Sequence, residues 1–186
     1  MSGFLPLNEV VGLLRVQRHD FLNHLQVIMG FLQLNKPEQA LAYLRKISAQ
    51  LQEAGKVMRL PWPELVAVLL LAEKQAEQDQ VDLTIEVAVN MANAKVDGMT
   101  LAQSLGQLFK AIFPELLKYP VESRLLRVRL AEEKGGCLVT LVWPAGGESD
   151  FSLPVVNVAK QVSGPSIKHV NWDINEGYCY IELLIL

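Results

Sequence analysis

The stretch LNEVVGLLRVQRHDFLNHLQVIMGFLQL, residues 7–34, decides how this chain is read. It contains no proline, has two isolated glycines, Gly12 and Gly30, and repeats its apolar residues at steps of three and four, the spacing of one long amphipathic helix. Asn35-Lys36-Pro37 breaks that helix, and proline suits the first position of the next one. From Glu38 onward Leu41, Leu44, Ile47, Leu51 and Ala54 recur at helical steps, so a helical hairpin is expected. Pro61-Trp62-Pro63 marks its end, because the residue before a proline is pushed out of helical geometry. The expected division is a hairpin domain over 1–60 and a second domain over 61–186.

On a wheel at about 100° per residue, with His19 at zero, Val11, Leu14, Phe21, Leu22, Leu25, Ile28, Met29 and Leu32 fall within one arc. That arc reads as a packing face, interrupted by Arg18. A weaker apolar group, Leu13, Val16, Val27 and Phe31, lies on the other flank, so contacts on more than one side are expected. Arg15, Asn23, Gln26, Gly30 and Gln33 lie within about 40° of His19, which places the histidine in a polar stripe facing water. Two amphipathic helices alone bury too little surface to be stable. Two such hairpins side by side form a four-helix bundle with a full interior, so a homodimer is expected.

The remainder of the 186 residues mixes period-two segments with helices, an α+β pattern. Helices are expected at Glu64–Gln78 and from Met99 to about Lys118, with Pro114 as a possible kink, and a strand at Leu83–Val89. Arg124–Ala131 and Cys137–Trp143 read as a hairpin through Lys134-Gly135-Gly136. Pro154–Val162 reads as a short helix, and Ile167–Ile174 with Tyr178–Ile185 as a second hairpin across Asn175-Glu176-Gly177.

Composition narrows the function classes. Hydrophobic residues make up 51% and charged residues 20%, which excludes a disordered or collagen-like chain. The net charge of -3, with 17 Lys and Arg scattered along the chain, gives no footprint for nucleic acid. The longest apolar run, Leu65–Ala72, is far short of the ~20 residues of a membrane span, and the N-terminus lacks signal-peptide features. A cytoplasmic protein is expected. Cys137 and Cys179 sit in strand-like segments without ligand-like neighbours and read as buried thiols in a reducing compartment. His24 lies about 140° around the wheel from His19, so the two cannot share a metal, and it is given a packing or interface role. His169, in a strand, reads as structural, and Asp97-Gly98 as a turn and helix cap.

The segment Arg18-His19-Asp20-Phe21-Leu22-Asn23-His24-Leu25 resembles the phosphoacceptor helix of the sporulation initiation phosphotransferase B family and of related sensor histidine kinases, which reads R-H-D-x-x-N-x-L. The match continues through Gln26, Val27, Gly30 and Leu34, with a second helix following. In that family the histidine accepts a phosphoryl group from one response regulator's aspartyl phosphate and passes it to another. The resemblance implies His19 as the phosphorylated residue, Asp20 as the adjacent acid and Asn23 as a polar residue one turn on. Arg15, Arg18 and Gln26 are candidate contacts to phosphate or partner, with a solvated or dimer-pairing role as the alternative for the two arginines. The residue types suit the chemistry. Imidazole titrates near about 6.5 and is largely neutral and nucleophilic at neutral pH, and a nearby carboxylate can fix its tautomer. Asn23, at i+4, is placed to meet the attacking or leaving phosphoryl oxygens.

Histidine kinases follow such a hairpin with an ATP-binding domain, and the second half keeps that order of elements. The helix near Leu101–Leu117 resembles the asparagine-bearing helix N-L-L-x-N-A, but here it reads Gln107-Leu108-Phe109-Lys110-Ala111-Ile112. Ala111 offers magnesium no ligand, and Gln107 keeps its carbonyl only on a longer side chain. Trp143-Pro144-Ala145-Gly146-Gly147 stands where an aspartate and glycines would hold adenine. The fold class expected is therefore α+β: a hairpin in a dimeric four-helix bundle, plus an α/β sandwich resembling a degenerate histidine-kinase ATPase domain. The function implied is a phosphotransferase in a two-component phosphorelay of the sporulation type. No cofactor or metal is expected on this chain, with magnesium supplied by the partner receiver domain. The partners expected are response regulator receivers and a second copy, with no nucleic acid and no membrane. A non-catalytic adaptor for a response regulator or kinase is the alternative, and an autophosphorylating kinase ranks last.

Overall fold

The computed structural model describes residues 7–88, 91, 94, 96–145, 155, 157–159 and 167–186. The chain forms two compact units that divide between Met58 and Arg59.

The first unit is a helical hairpin, α1 (Leu7–Gln33) and α2 (Pro37–Val57). The turn between them follows from its residues. Asn35 adopts a left-handed φ of 53°, a region asparagine enters more cheaply than most residues. Lys36 N–H then reaches back to the Phe31 carbonyl at 2.9 Å and Asn35 N–H to Leu32 at 3.0 Å, which satisfies the last carbonyls of α1 in a Schellman motif. Pro37 starts α2, where its missing N–H costs nothing. Ala40 and Ile47 are buried on α2, with Tyr43 half-buried between them. His24, Ile28, Gly30 and Phe31 are half-buried in the adjoining part of α1.

Of the stronger apolar arc of α1, only Ile28 is half-buried. Leu14, Phe21, Leu22, Leu25, Met29 and Leu32 are each at least 41% exposed in the single chain. The contacts between the two helices run through His24 and Phe31 to Tyr43, and most of the arc expected to be the principal packing face lies open. One partner helix can cover only one side of a helix, and the turn geometry directs α2 away from most of this arc.

The second unit is α+β. Its elements are α3 (Pro63–Asp79), β1 (Asp82–Val87), α4 (Gly98–Leu116), a short 3-10 turn (Val121–Ser123), β2 (Leu125–Glu133), β3 (Gly136–Pro144), β4 (Ile167–Asn175) and β5 (Tyr178–Ile185). The sheet order is β1-β2-β3-β5-β4, with β1 parallel to β2 and the other pairs antiparallel. A parallel pair needs a crossover, and α4 supplies it. Both hairpins turn on two residues with positive φ, Lys134-Gly135 (53° and 79°) and Glu176-Gly177 (51° and 80°), the conformation that matches strand twist. Each turn is one residue shorter than the glycine-containing triplet expected from the sequence, because Gly136 already belongs to β3 and Asn175 to β4.

Alternation along the strands sorts the sheet into two faces. Leu126, Val128 and Leu130 of β2, Val139 and Leu141 of β3, and Ile181 and Leu183 of β5 are fully buried. Arg127 and Arg129 point to the opposite, exposed face. Against this core α4 contributes Leu101, Leu105, Leu108, Ile112 and Leu116, all fully buried, and α3 packs beside α4 and onto β1 through Leu65 and Leu69. Burying a leucine or isoleucine completely is worth about 1.5–3 kcal/mol, so this aliphatic layer dominates the unit's stability. Pro114 sits inside α4, which continues to Leu116.

Polar anchors complete the unit. Arg124 donates from Nη1 to the Asp79 carbonyl at 2.7 Å and from Nε to the Tyr119 carbonyl at 3.0 Å. Its own carbonyl accepts from Asp82 N–H at 2.8 Å. Gly98, at the start of α4, lies so close to Trp62 that a Cβ there would fall 2.7 Å from the indole side chain. Of the short helix expected at Pro154–Val162, Val155 and residues 157–159 are helical, and the rest lies outside the described residues. Gly146, Gly147 and the His169 side chain also lie outside them.

Candidate functional site

His19 stands on the exposed side of α1, with 73% of its side chain open to solvent. An α-helix places residue i+4 one turn above residue i on the same face, so Asn23 overhangs the imidazole. Its amide Nδ2 lies 3.1 Å from His19 Nδ1. Asp20 is beside it in sequence, and its Oδ1 approaches the same ring nitrogen at 3.4 Å. Both neighbours therefore meet Nδ1, and among the described residues no side chain bonds to Nε2. The outward nitrogen is the one an incoming electrophile can reach.

Arg15, Arg18 and Gln26 are exposed on the same helix, and among the described residues no hydrogen bond joins them to the His19 ring. The structure brings together His19, Asp20 and Asn23 and leaves these three at the solvent surface. Asn23 bonds to the ring itself and not only to the space where phosphoryl oxygens would lie, a contact that the i+4 spacing permits.

His24 belongs to the hairpin interior. Its Nδ1 meets the Tyr43 hydroxyl at 2.9 Å, and the two rings lie 5.9 Å apart between centroids. Phe31 also packs against Tyr43, with ring centroids 6.2 Å apart. The contact ties α1 to α2 next to the His19 turn, and no local pattern points to Tyr43 as its partner. Among the described residues no group of three His, Cys, Asp or Glu side chains is placed to hold a metal ion.

In the second unit, Gln107 and Lys110 are exposed on α4 and Ala111 is half-buried. Trp143 is buried at the end of β3, committed to the core. Asp97 caps α4, accepting from Met99 N–H at 3.2 Å and from the Thr100 hydroxyl at 2.5 Å. The Thr100 bond is the main cause that holds its carboxyl below the ordinary value. Cys137 and Cys179 are free and buried, and burial pushes their thiols up to about 12 and about 11. Neither is a nucleophile at neutral pH. No helix among the described residues is long and apolar enough to cross a membrane.

A solvent-facing histidine on a helical hairpin precedes the α+β unit, and known proteins resemble both parts. Residues 4–60, which include the hairpin, match the family model of the sensor kinase SpoOB-type alpha-helical domain. The chain is also 28% identical over 123 residues to the sensor protein CitS of Halalkalibacterium halodurans, a match covering 64% of this chain and 23% of that protein. It thus spans about a quarter of that relative's length. Among solved structures it is similar in fold to the histidine kinase AdeS of Acinetobacter baumannii, with TM-score 0.46 and 13% identity over 90% of this chain and 96% of that one. A blue-light activated histidine kinase of Erythrobacter litoralis gives TM-score 0.48 and 17% identity over 100% of this chain and 61% of that one.

Proposed function

We propose that this protein is a histidine phosphotransferase that relays phosphoryl groups between response regulator aspartates through a phosphohistidine at His19, in a phosphorelay of the sporulation type. The observation that carries this reading is the ring geometry: both polar neighbours approach Nδ1 of an exposed ring, and among the described residues no side chain bonds to Nε2. When Nδ1 holds a proton and donates it to Asp20, the Nε2 lone pair points outward and can attack the phosphorus of an aspartyl phosphate. The N–P bond forms as the P–O bond breaks, and the regulator's carboxylate departs with the electron pair. The phosphorylated ring keeps its Nδ1 proton, and Asp20 offsets the positive charge, so the group remains labile enough to pass on.

The SpoOB-type hairpin supports a two-component context. Transfer without autophosphorylation is favoured by Gln107 and Ala111 in place of two asparagines, and by Trp143, packed into the core where an acid would hold adenine. The magnesium that receiver chemistry requires comes, in this reading, from the regulator. Arg15, Arg18 and Gln26, exposed around His19, serve the regulator's surface or the phosphoryl oxygens. A second copy covers the open arc of α1 to complete a four-helix bundle, and the protein works in the cytoplasm.

The test is to mix the protein with a phosphorylated receiver domain and follow acid-labile label. Label on the wild type and none on His19→Ala is the expected result. No label from any of several receivers would favour an adaptor that docks regulators without being phosphorylated. ATP-dependent labelling without a partner would instead make it an autokinase.

A further inference from the structure

The two contacts to His19 demand opposite states of one atom. Nδ1 carries either a lone pair or a proton, never both. The Asn23 Nδ2 group can only donate, so its 3.1 Å contact needs a lone pair on Nδ1. The Asp20 carboxylate can only accept, so its 3.4 Å contact needs a proton there. Of the two, 3.1 Å lies within ordinary hydrogen-bond range and 3.4 Å is at its outer edge. Asn23 therefore has the better claim in the resting protein.

We propose that Asn23 is a tautomer latch: it holds resting His19 as the Nε2–H form, which has no in-plane lone pair on Nε2, and releases it when a phosphoryl group arrives. This rests on the phosphotransferase reading and concerns the regulation of that same site. An incoming phosphoryl oxygen is a charged acceptor and outcompetes a neutral ring nitrogen for the Asn23 amide proton. With the latch drawn away, Nε2 gives its proton to water, Nδ1 takes one from water, and the new N–H donates to Asp20. The nucleophile then exists only while its electrophile is present. In the resting protein Asn23 acts through His19 as a positioning residue, which separates that role from the attack made by the imidazole.

The test reads the tautomer directly, in the full chain with 15N-labelled histidine, at about pH 8.5, well above the ordinary imidazole value. His19→Gln identifies the His19 ring signals. Two variants follow: Asn23→Asp replaces the donor with an acceptor of the same size, and Asn23→Ala removes the donor. The expected result is a wild-type His19 protonated mainly at Nε2, with each variant raising the ratio of Nδ1–H to Nε2–H about fivefold or more, the effect of losing one such hydrogen bond. Either variant failing to raise the ratio, or a wild-type ring protonated mainly at Nδ1, overturns the latch. No receiver is in the sample, so the latch and the relay fail separately: an unlabelled His19 in the transfer assay overturns the phosphotransferase, and an unmoved tautomer ratio overturns the latch.

Discussion

Asp20 reaches His19 through a single oxygen, in a solvated setting where charge interactions are screened. Asp20→Asn keeps the shape and removes the charge that stabilises a protonated Nδ1. The rate of His19 labelling by a phosphorylated receiver is expected to fall about tenfold to a hundredfold, at the low end of acid–base effects because the contact is exposed; an unchanged single-turnover rate would exclude a role for this carboxylate. Asp97 provides a test that leaves His19 untouched. Its carboxyl is held below its ordinary value in the fold, so its contribution is present above that value and is lost as pH falls through the lowered one. Asp97→Ala is expected to cost about 1 kcal/mol at neutral pH, as for other helix caps, and to flatten the acid limb of a denaturation-against-pH curve. The thiols behave in the opposite sense. Cys137 and Cys179 have raised values, so their contribution is present below the ordinary thiol value and is lost as pH rises toward 11 and 12. A thiol reagent at pH 8 is expected to modify both only after unfolding, and rapid labelling of the native protein would contradict their burial. His19 and its polar stripe, the Asp97 cap and the buried thiols were legible in the sequence, because each depends on local spacing or on a run of apolar neighbours. Tyr43 was not, because a partner nineteen residues from His24 is set by how two helices meet.

Periodicity located the elements to within a few residues, since helices and strands bury one face at spacings the chain itself displays. The open arc of α1 shows where periodicity stops: it identifies an apolar face without saying which neighbour covers it. Close approaches are equally invisible. Gly98 looks like half of a turn, but its lack of a side chain makes room for Trp62 at the start of α4. Gly98→Ala is expected to destabilise the protein by about 1–3 kcal/mol, because the contact is with the root of the indole side chain, which has little freedom to move. Chemical denaturation checks this, with Gly55→Ala as a control where an added Cβ meets nothing.

For the molecule as a whole, the exposed arc is a prediction about association. Leu25→Glu puts a charge in the middle of a surface that the proposed bundle buries, and is expected to convert a dimer to a monomer in light scattering. A wild type that stays monomeric at tens of micromolar would remove the bundle from the proposal. The second unit has its own unifying feature. The guanidinium of Arg124 holds a carbonyl at the end of α3 and another beyond the end of α4, while its backbone begins the pairing of β1 with β2. Helix ends ordinarily fray independently, each at its own low free energy. Here they share one side chain, so amide protons in the last turns of α3 and α4 should exchange with solvent together, at the pace of one opening event.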